Sequence, residues 1–240
     1  MNKNIQIGTC GFRYKKPEYA AHLGCVEIQH TFYHPPMIKT LERWRAEMPD
    51  NFEFTLKAWQ LITHESSSPT YRRLRKPLNE TDAEQAGFFR DSFVVKNALD
   101  VTLDCAVALK ARTVLFQCPE KFRPTEENIE RMRAFFKKHE RRGLNFAWEP
   151  RGDWPAETVK ELCDELDLWH AVDPFKTPTL TPDRCYYRLH GVVRWRYTYE
   201  DGELEELVSL LPKRGLSYVF FNNITMFEDA LRFKRILAGS

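Results

Sequence analysis

The chain has 240 residues, 42% hydrophobic and 13% aromatic, enough to bury a sizeable core, and one domain over 1–240 is expected. Its 36 basic and 34 acidic residues leave a formal charge of +2, which excludes a global electrostatic pull toward nucleic acid or membrane. No stretch is long and apolar enough to span a bilayer, Met1 to Gln6 lacks the apolar core of a secretion signal, and six singly scattered cysteines lack metal-ligand spacing. A soluble cytoplasmic protein with no membrane partner and no metal site is therefore expected.

Ile5 to Gly8 is a short apolar strand running into Gly8, Thr9, Cys10 and Gly11, where two glycines permit a tight turn or close backbone approach. Cys25 to Tyr33, CVEIQHTFY, has strand composition, yet Glu27, Gln29, Thr31 and Tyr33 recur at every second position and share one polar face. With its other face under a helix, such a strand turns Glu27 either to water or into a charged interior. Pro35 and Pro36 stop the chain, Lys39 to Met48 reads as a helix, and Phe52 to Ala58 returns as a strand with Lys57 near its end. Leu61 to Glu80, rich in Ser, Thr, Pro and Arg, is long for a barrel connection and reads either as a binding loop or as a surface excursion.

Phe88 to Ala111 reads as helical, in one piece or two, and Thr113 to Pro119 as an apolar strand interrupted by Gln117. Thr125 opens a helix to about Arg142, with acids in its first turn and bases in its last. Strands follow at Asn145 to Arg151, Leu168 to Asp173, Tyr186 to Gly191 and Leu216 to Asn223. Helices follow at Pro155 to Leu166, Gly202 to Leu211 and Met226 to Leu237. Strands alternating with helices predict an α/β protein, a closed (β/α)8 TIM-type barrel of parallel strands. An open doubly wound sheet is the alternative, and it too would place ligands at the strand C-termini.

Polar residues gather at those ends: Thr9, Lys57, Gln117, Glu149, Arg151, Asp173, Arg188, His190, Asn222 and Asn223. Alternation puts Glu149 with Arg151 on one side of a strand, and Arg188 with His190 on one side of another. Glu27, Glu149 and Asp173 nearly balance Lys57, Arg151 and Arg188. This set reads either as a structural ion-pair network or as catalytic machinery. His190 suits proton transfer near neutral pH, with Glu149 or Asp173 as orienter or second acid/base group. Arg151 and Arg188 offer planar donor forks for a carboxylate or phosphate. His64, ending LITH, reads either as a residue reaching the mouth from its loop or, in preference, as a surface histidine.

The ordered motifs GTCGF, VEIQHTFY, FTLKA with LITH, VLFQCP, WEPRGDW, YYRLHG and YVFFNN run from about Ile7 to Ala230. Together they resemble the YecE-like family of uncharacterised TIM-barrel proteins. The resemblance implies a (β/α) barrel related in shape to sugar-phosphate isomerase-like and endonuclease IV-like barrels, with no established reaction. Glu27, Thr31, Phe32, Tyr33, Lys57, Thr63, His64, Gln117, Pro119, Arg188, His190, Asn222 and Asn223 stand where that pattern has them, as do Gly8, Thr9, Gly11 and Gly191. Cys10 and Phe12 replace its commoner Ser and Trp, Gln29 and His30 its Asn and Ser, and EPRGDW a strand end with Arg-His-Pro; Ile224 stands where an acid often follows the asparagine pair. No role is carried over to Glu149, Arg151 or Ile224. Endonuclease IV-like barrels hold metals through several histidines and carboxylates, and the few histidines here predict no multi-metal site.

The residues name no cofactor. The expected function is an enzyme acting by acid/base chemistry on a small anionic substrate, phosphorylated or carboxylated, with phosphoester hydrolysis as one version. Catalysis is expected of His190, Glu27, Lys57, Glu149 and Asp173, and substrate binding of Thr9, Tyr33, Gln117, Arg151, Arg188, Asn222 and Asn223. The alternative is a non-catalytic nucleic-acid-binding module using the basic loop 71–76, where Arg72, Arg73, Arg75 and Lys76 stand beside Tyr71.

Overall fold

Eight runs of β-branched and aromatic residues form parallel strands: β1 (Ile5–Cys10), β2 (Cys25–Ile28), β3 (Glu53–Lys57), β4 (Thr113–Gln117), β5 (Asn145–Glu149), β6 (Leu168–Val172), β7 (Arg184–Leu189) and β8 (Leu216–Phe221). Each pairs with the next and β8 closes on β1, so the sheet is a barrel and the open-sheet alternative falls. The structure is a computed structural model and describes residues 4–192 and 195–239. Residues 1–3, the start of the segment read for a secretion signal, lie outside the described residues. No helix among the described residues is long and apolar enough to cross a membrane.

The helices are α1 (Lys16–His22), α2 (His30–Tyr33), α3 (Ile38–Ala46), α4 (Gln60–Thr63), α5 (Glu80–Gln85), α6 (Phe93–Leu109), α7 (Glu126–Lys138), α8 (Ala156–Glu165), α9 (Asp201–Leu210) and α10 (Met226–Gly239). Side chains outside the barrel pack beneath them in one large apolar layer that includes Val26, Phe54, Phe116, Trp148 and Leu189. The 88–111 helix begins only at Phe93. Gly87, Phe88 and Phe89 all have positive φ, which no right-handed helix accepts, and the Ser92 hydroxyl caps the start by accepting from Val95 N at 3.2 Å. Leu61 to Glu80 contains the rest of α4 and a single 3-10 turn, Pro69–Arg73.

The strand read over Cys25 to Tyr33 stops at Ile28, because Gln29 takes αR geometry and α2 follows as one turn. That turn is fixed by the Thr31 hydroxyl, which donates to Lys57 O at 2.6 Å and so ties the exits of β2 and β3 together. Both glycines of the first loop are needed. A Cβ on Gly8 would lie 2.3 Å from Cys25 O, so β1 meets β2 too closely for any side chain, and Gly11 has φ +98.

Between β6 and β7, residues 173–183 form no helix among the described residues. His170 and Thr181 cover the strand instead: His170 Nδ1 accepts from Leu180 N at 3.2 Å, and the Thr181 hydroxyl accepts from His170 N at 2.9 Å. The barrel interior is apolar in its lower part. Cys25, Leu115, Ala147, Trp169, Ala171, Tyr186, Tyr218 and Phe220 fill it, with Tyr218 and Phe220 stacked at 5.6 Å between ring centroids.

Candidate active site at the barrel mouth

Inward positions fall at alternate residues, so register decides which polar groups meet. Cys10 lies opposite Glu27, Glu27 opposite Thr55, Gln117 opposite Glu149, and Tyr186 opposite Tyr218. This brings Glu27, Lys57, Glu149 and Arg188 to one level above the aromatic floor. Arg151, Asp173 and His190 lie above them around the mouth cavity, Gln117 is level with Glu149, and Asn222 follows β8 with its N–H donating to Leu189 O at 2.8 Å.

Arg188, with 1% of its surface exposed, is the centre. Its Nε and Nη2 donate to Glu27 at 3.0 and 2.8 Å, and Nη1 donates to Glu149 Oε2 at 2.5 Å. Glu27, fully buried, also accepts from the Tyr186 hydroxyl at 2.7 Å, the Cys10 thiol at 3.2 Å and the Gln29 amide. The Tyr186 hydroxyl lies 2.9 Å from that of Thr55. Burial by itself would raise the Glu27 pKa, but the Arg188 charge and these donors outweigh it and hold the carboxyl below its usual range. Glu149 behaves alike: burial opposes ionisation, Arg188 and Arg151 prevail, and its pKa falls to about 2. The same acids keep Arg188 charged against the cost of its burial.

These depressed carboxyls set an acid dependence. Folded pKa values lie below the unfolded value of roughly 4.3, so the stability they contribute is complete above it and lost as pH falls toward about 2. Chemical denaturation across that interval is expected to show Glu149→Gln losing less stability per pH unit than the unaltered chain. Equal slopes would remove Glu149 as a linked group.

Arg151 is the exposed cation of the set, its side chain 37% open; Nη2 pairs with Glu149 Oε1 at 2.5 Å, while its buried Nε has no partner among the described residues. His190 Nε2 lies 3.4 Å from both Arg151 Nη2 and Arg188 Nη1. A guanidinium only donates, so Nε2 accepts and the ring proton sits on Nδ1, 4.0 Å from Asp173 Oδ2. Burial and the Arg188 charge push the His190 pKa down to about 4, so the ring is neutral at neutral pH. Asp173 accepts from His190 N at 3.2 Å and from Phe175 N at 3.3 Å, and burial raises its pKa. Lys176, 3.8 Å from Asp173, joins Arg151, Glu149, Asp173 and His190 around a cavity of about 300 Å³.

Lys57 ends β3 facing inward. Burial and the repulsion of Arg188 lower its pKa to about 7. Of the two readings of His64 the preferred surface one falls: the ring is buried against that of Phe32, with its pKa pushed down to about 3 by burial and by Lys57.

Three residues expected to bind substrate are turned elsewhere. Thr9 faces the helices, its hydroxyl 2.9 Å from that of Tyr19 and donating to Gly11 O at 2.8 Å. Asn223 also faces outward, donating to Asp229 at 2.6 Å and Tyr197 O at 2.8 Å. Tyr33 left the Glu27 face when β2 ended at Ile28, and its ring stacks under the Arg73 guanidinium at 3.5 Å. Arg188 is on the expected face, yet its forks are spent on Glu27 and Glu149, leaving Arg151 as the open fork. Tyr186 and Thr55 were missed, although Tyr186 stands two residues before Arg188 and shares its face. Among the described residues no His, Cys, Asp and Glu gather as a metal cluster, and all six cysteines are free and buried.

Residues 7–239 match the family model described as protein of unknown function DUF72. The UPF0759 protein YunF of Bacillus subtilis (strain 168) is 26% identical over 258 residues, covering 93% of this chain and 85% of that protein. A crystal structure of a DUF72 family protein from Enterococcus faecalis V583 superposes with TM-score 0.76 at 21% identity, covering 98% of this chain and 96% of that one. The barrel of an AP endonuclease, family 2, from Brucella melitensis shares the fold alone, with TM-score 0.56, 14% identity and 95% of each chain covered. With its closed barrel and a match over nearly its whole length, the chain belongs to the DUF72 family of TIM-barrel proteins.

Proposed function

We propose that the protein is an enzyme that binds a small anionic substrate at the C-terminal mouth of the barrel and transfers protons there. The observation that carries this reading is the cavity of about 300 Å³ whose wall joins an open guanidinium, Arg151, and an ammonium, Lys176, to Asp173 and His190. Arg151 and Lys176 hold the phosphate or carboxylate. Asp173 is the proton acceptor, because burial lifts its basicity, and the Nδ1 proton of neutral His190 faces it. Glu27, Arg188 and Glu149 form a rigid charged base that fixes the orientation of Arg151 and His190. Phosphoester hydrolysis and isomerisation both fit this arrangement.

Calorimetric titration with a panel of phosphorylated and carboxylated metabolites tests the reading. Arg151→Ala is expected to weaken anion binding by about tenfold or more, the worth of one charge-assisted hydrogen bond. Unchanged affinity in both Arg151→Ala and His190→Ala would remove the site. A second reading, nucleic-acid binding, draws on exposed Arg75 and Lys76, which line a groove of about 590 Å³ with Trp59 and His34. A steep salt dependence that disappears with these two charges and ignores Arg151 would favour it.

A further inference from the structure

Among the described residues, Lys57 is the one interior cation of the mouth that the ion-pair network does not use. Glu27 is occupied by Arg188, Tyr186, Cys10 and Gln29, and Glu149 by Arg188 and Arg151. Among the described residues, the Lys57 amine has neither a carboxylate within ion-pair distance nor a hydrogen bond. What it touches is the face of Phe32, 3.4 Å from Nζ to the ring centroid. Its backbone is held by the Thr31 hydroxyl on Lys57 O, and 6% of the residue remains open to solvent. A lysine kept for structure would sit against one of the two acids; this one is rigidly placed, desolvated, and confronted by guanidinium charge.

We propose that Lys57 is a nucleophile that forms an imine with an aldehyde or ketone carried by the anionic substrate. This rests on the reading of the mouth as an active site and narrows its substrate class to anionic carbonyl compounds. The nitrogen lone pair attacks the carbonyl carbon, and the carbonyl π pair moves onto oxygen. Oxygen takes up the two protons that nitrogen gives up and leaves as water, so C=N forms without oxidant or reductant. The environment supports the chemistry: burial and the Arg188 charge leave about half of the Lys57 side chains unprotonated near pH 7, against fewer than about one in a thousand for an ordinary lysine. An imine also lets the neighbouring acid/base groups work on the adjacent carbon, because the protonated C=N withdraws electrons.

The test is borohydride trapping in the unaltered full-length chain. The protein is incubated at neutral pH with limiting glyceraldehyde 3-phosphate, pyridoxal 5′-phosphate or pyruvate, reduced with borohydride, and mapped by peptide mass spectrometry. The expected result is a mass increase equal to the carbonyl compound less one oxygen, with Lys57 labelled at least about tenfold faster than surface lysines. In Lys57→Arg that label is lost while circular dichroism stays native. Label spread over surface lysines, with Lys57 no more reactive than they are, overturns the proposal, and this readout does not depend on any variant folding. An uncharged aldehyde, butanal, separates this proposal from the anion site. Trapping of butanal at Lys57 as fast as the phosphorylated probes, unaffected by Arg151→Ala, would sink the anion reading and leave the amine chemistry standing. Arg151-dependent phosphate binding without any Lys57 label would do the reverse.

Discussion

Arg188→Met is expected to destabilise the protein by about 3–5 kcal/mol, because it leaves Glu27 and Glu149 buried without their shared cation. The loss is larger than that of an ordinary ion pair, since two acids lie within one low-dielectric space and each hinders ionisation of the other. At neutral pH the variant must either keep both charges at that cost or take up protons. Urea denaturation is therefore expected to show lower stability that partly recovers as the pH is lowered toward 5, an interval in which the paired carboxylates of the unaltered chain stay ionised and their contribution does not change. Adding Glu27→Gln and Glu149→Gln to Arg188→Met should restore part of the loss, because an uncharged set needs no counter-ion. A loss below about 1 kcal/mol in the single variant would show that the guanidinium is not what holds these acids in place.

Asp229→Ala is expected to cost about 2–4 kcal/mol. The Asp229 carboxylate is fully buried and accepts from Tyr199 N at 3.2 Å, the Asn223 amide at 2.6 Å and the Thr225 hydroxyl at 2.8 Å, while pairing with Arg232 at 3.0 Å. Truncation strands several buried donors at once, each costing roughly 1–3 kcal/mol where water cannot replace the acceptor. This hub ties the exit of β8 to the segment after β7, where the Tyr199 hydroxyl accepts from Gly191 N at 2.8 Å, next to His190. Hydrogen exchange at Gly191 should therefore accelerate in the variant. Unchanged protection there, with stability within 0.5 kcal/mol or so of the parent, would mean that the hub does not support the mouth.

The barrel was legible because short strands and helices alternate along the chain. The grouping of Glu27, Lys57, Glu149, Arg188 and His190 was legible because each sits on a strand end at a spacing of two from another polar residue. What could not be read was which face of each strand points inward. In a parallel barrel both faces are buried, so Thr9 and Asn223 look as suitable as their neighbours Cys10 and Asn222 until the register is known. Nor could local sequence show that Arg188 spends its donors on acids 161 and 39 residues away. The early end of β2 was hidden for another reason: HTFY has strand propensity, and the turn is held by bonds that include tertiary ones, from Thr31 to Lys57 O and from Gln60 to Tyr33 O, which local sequence does not show.

The ring stack beneath the charged level gives the molecule a single doorway. With Trp169, Tyr186, Tyr218 and Phe220 plugging the shaft, whatever enters must back out the way it came. For the enzyme proposed above, a departing product and an arriving substrate would compete for one passage, and inhibition by product that more substrate relieves is the expected result.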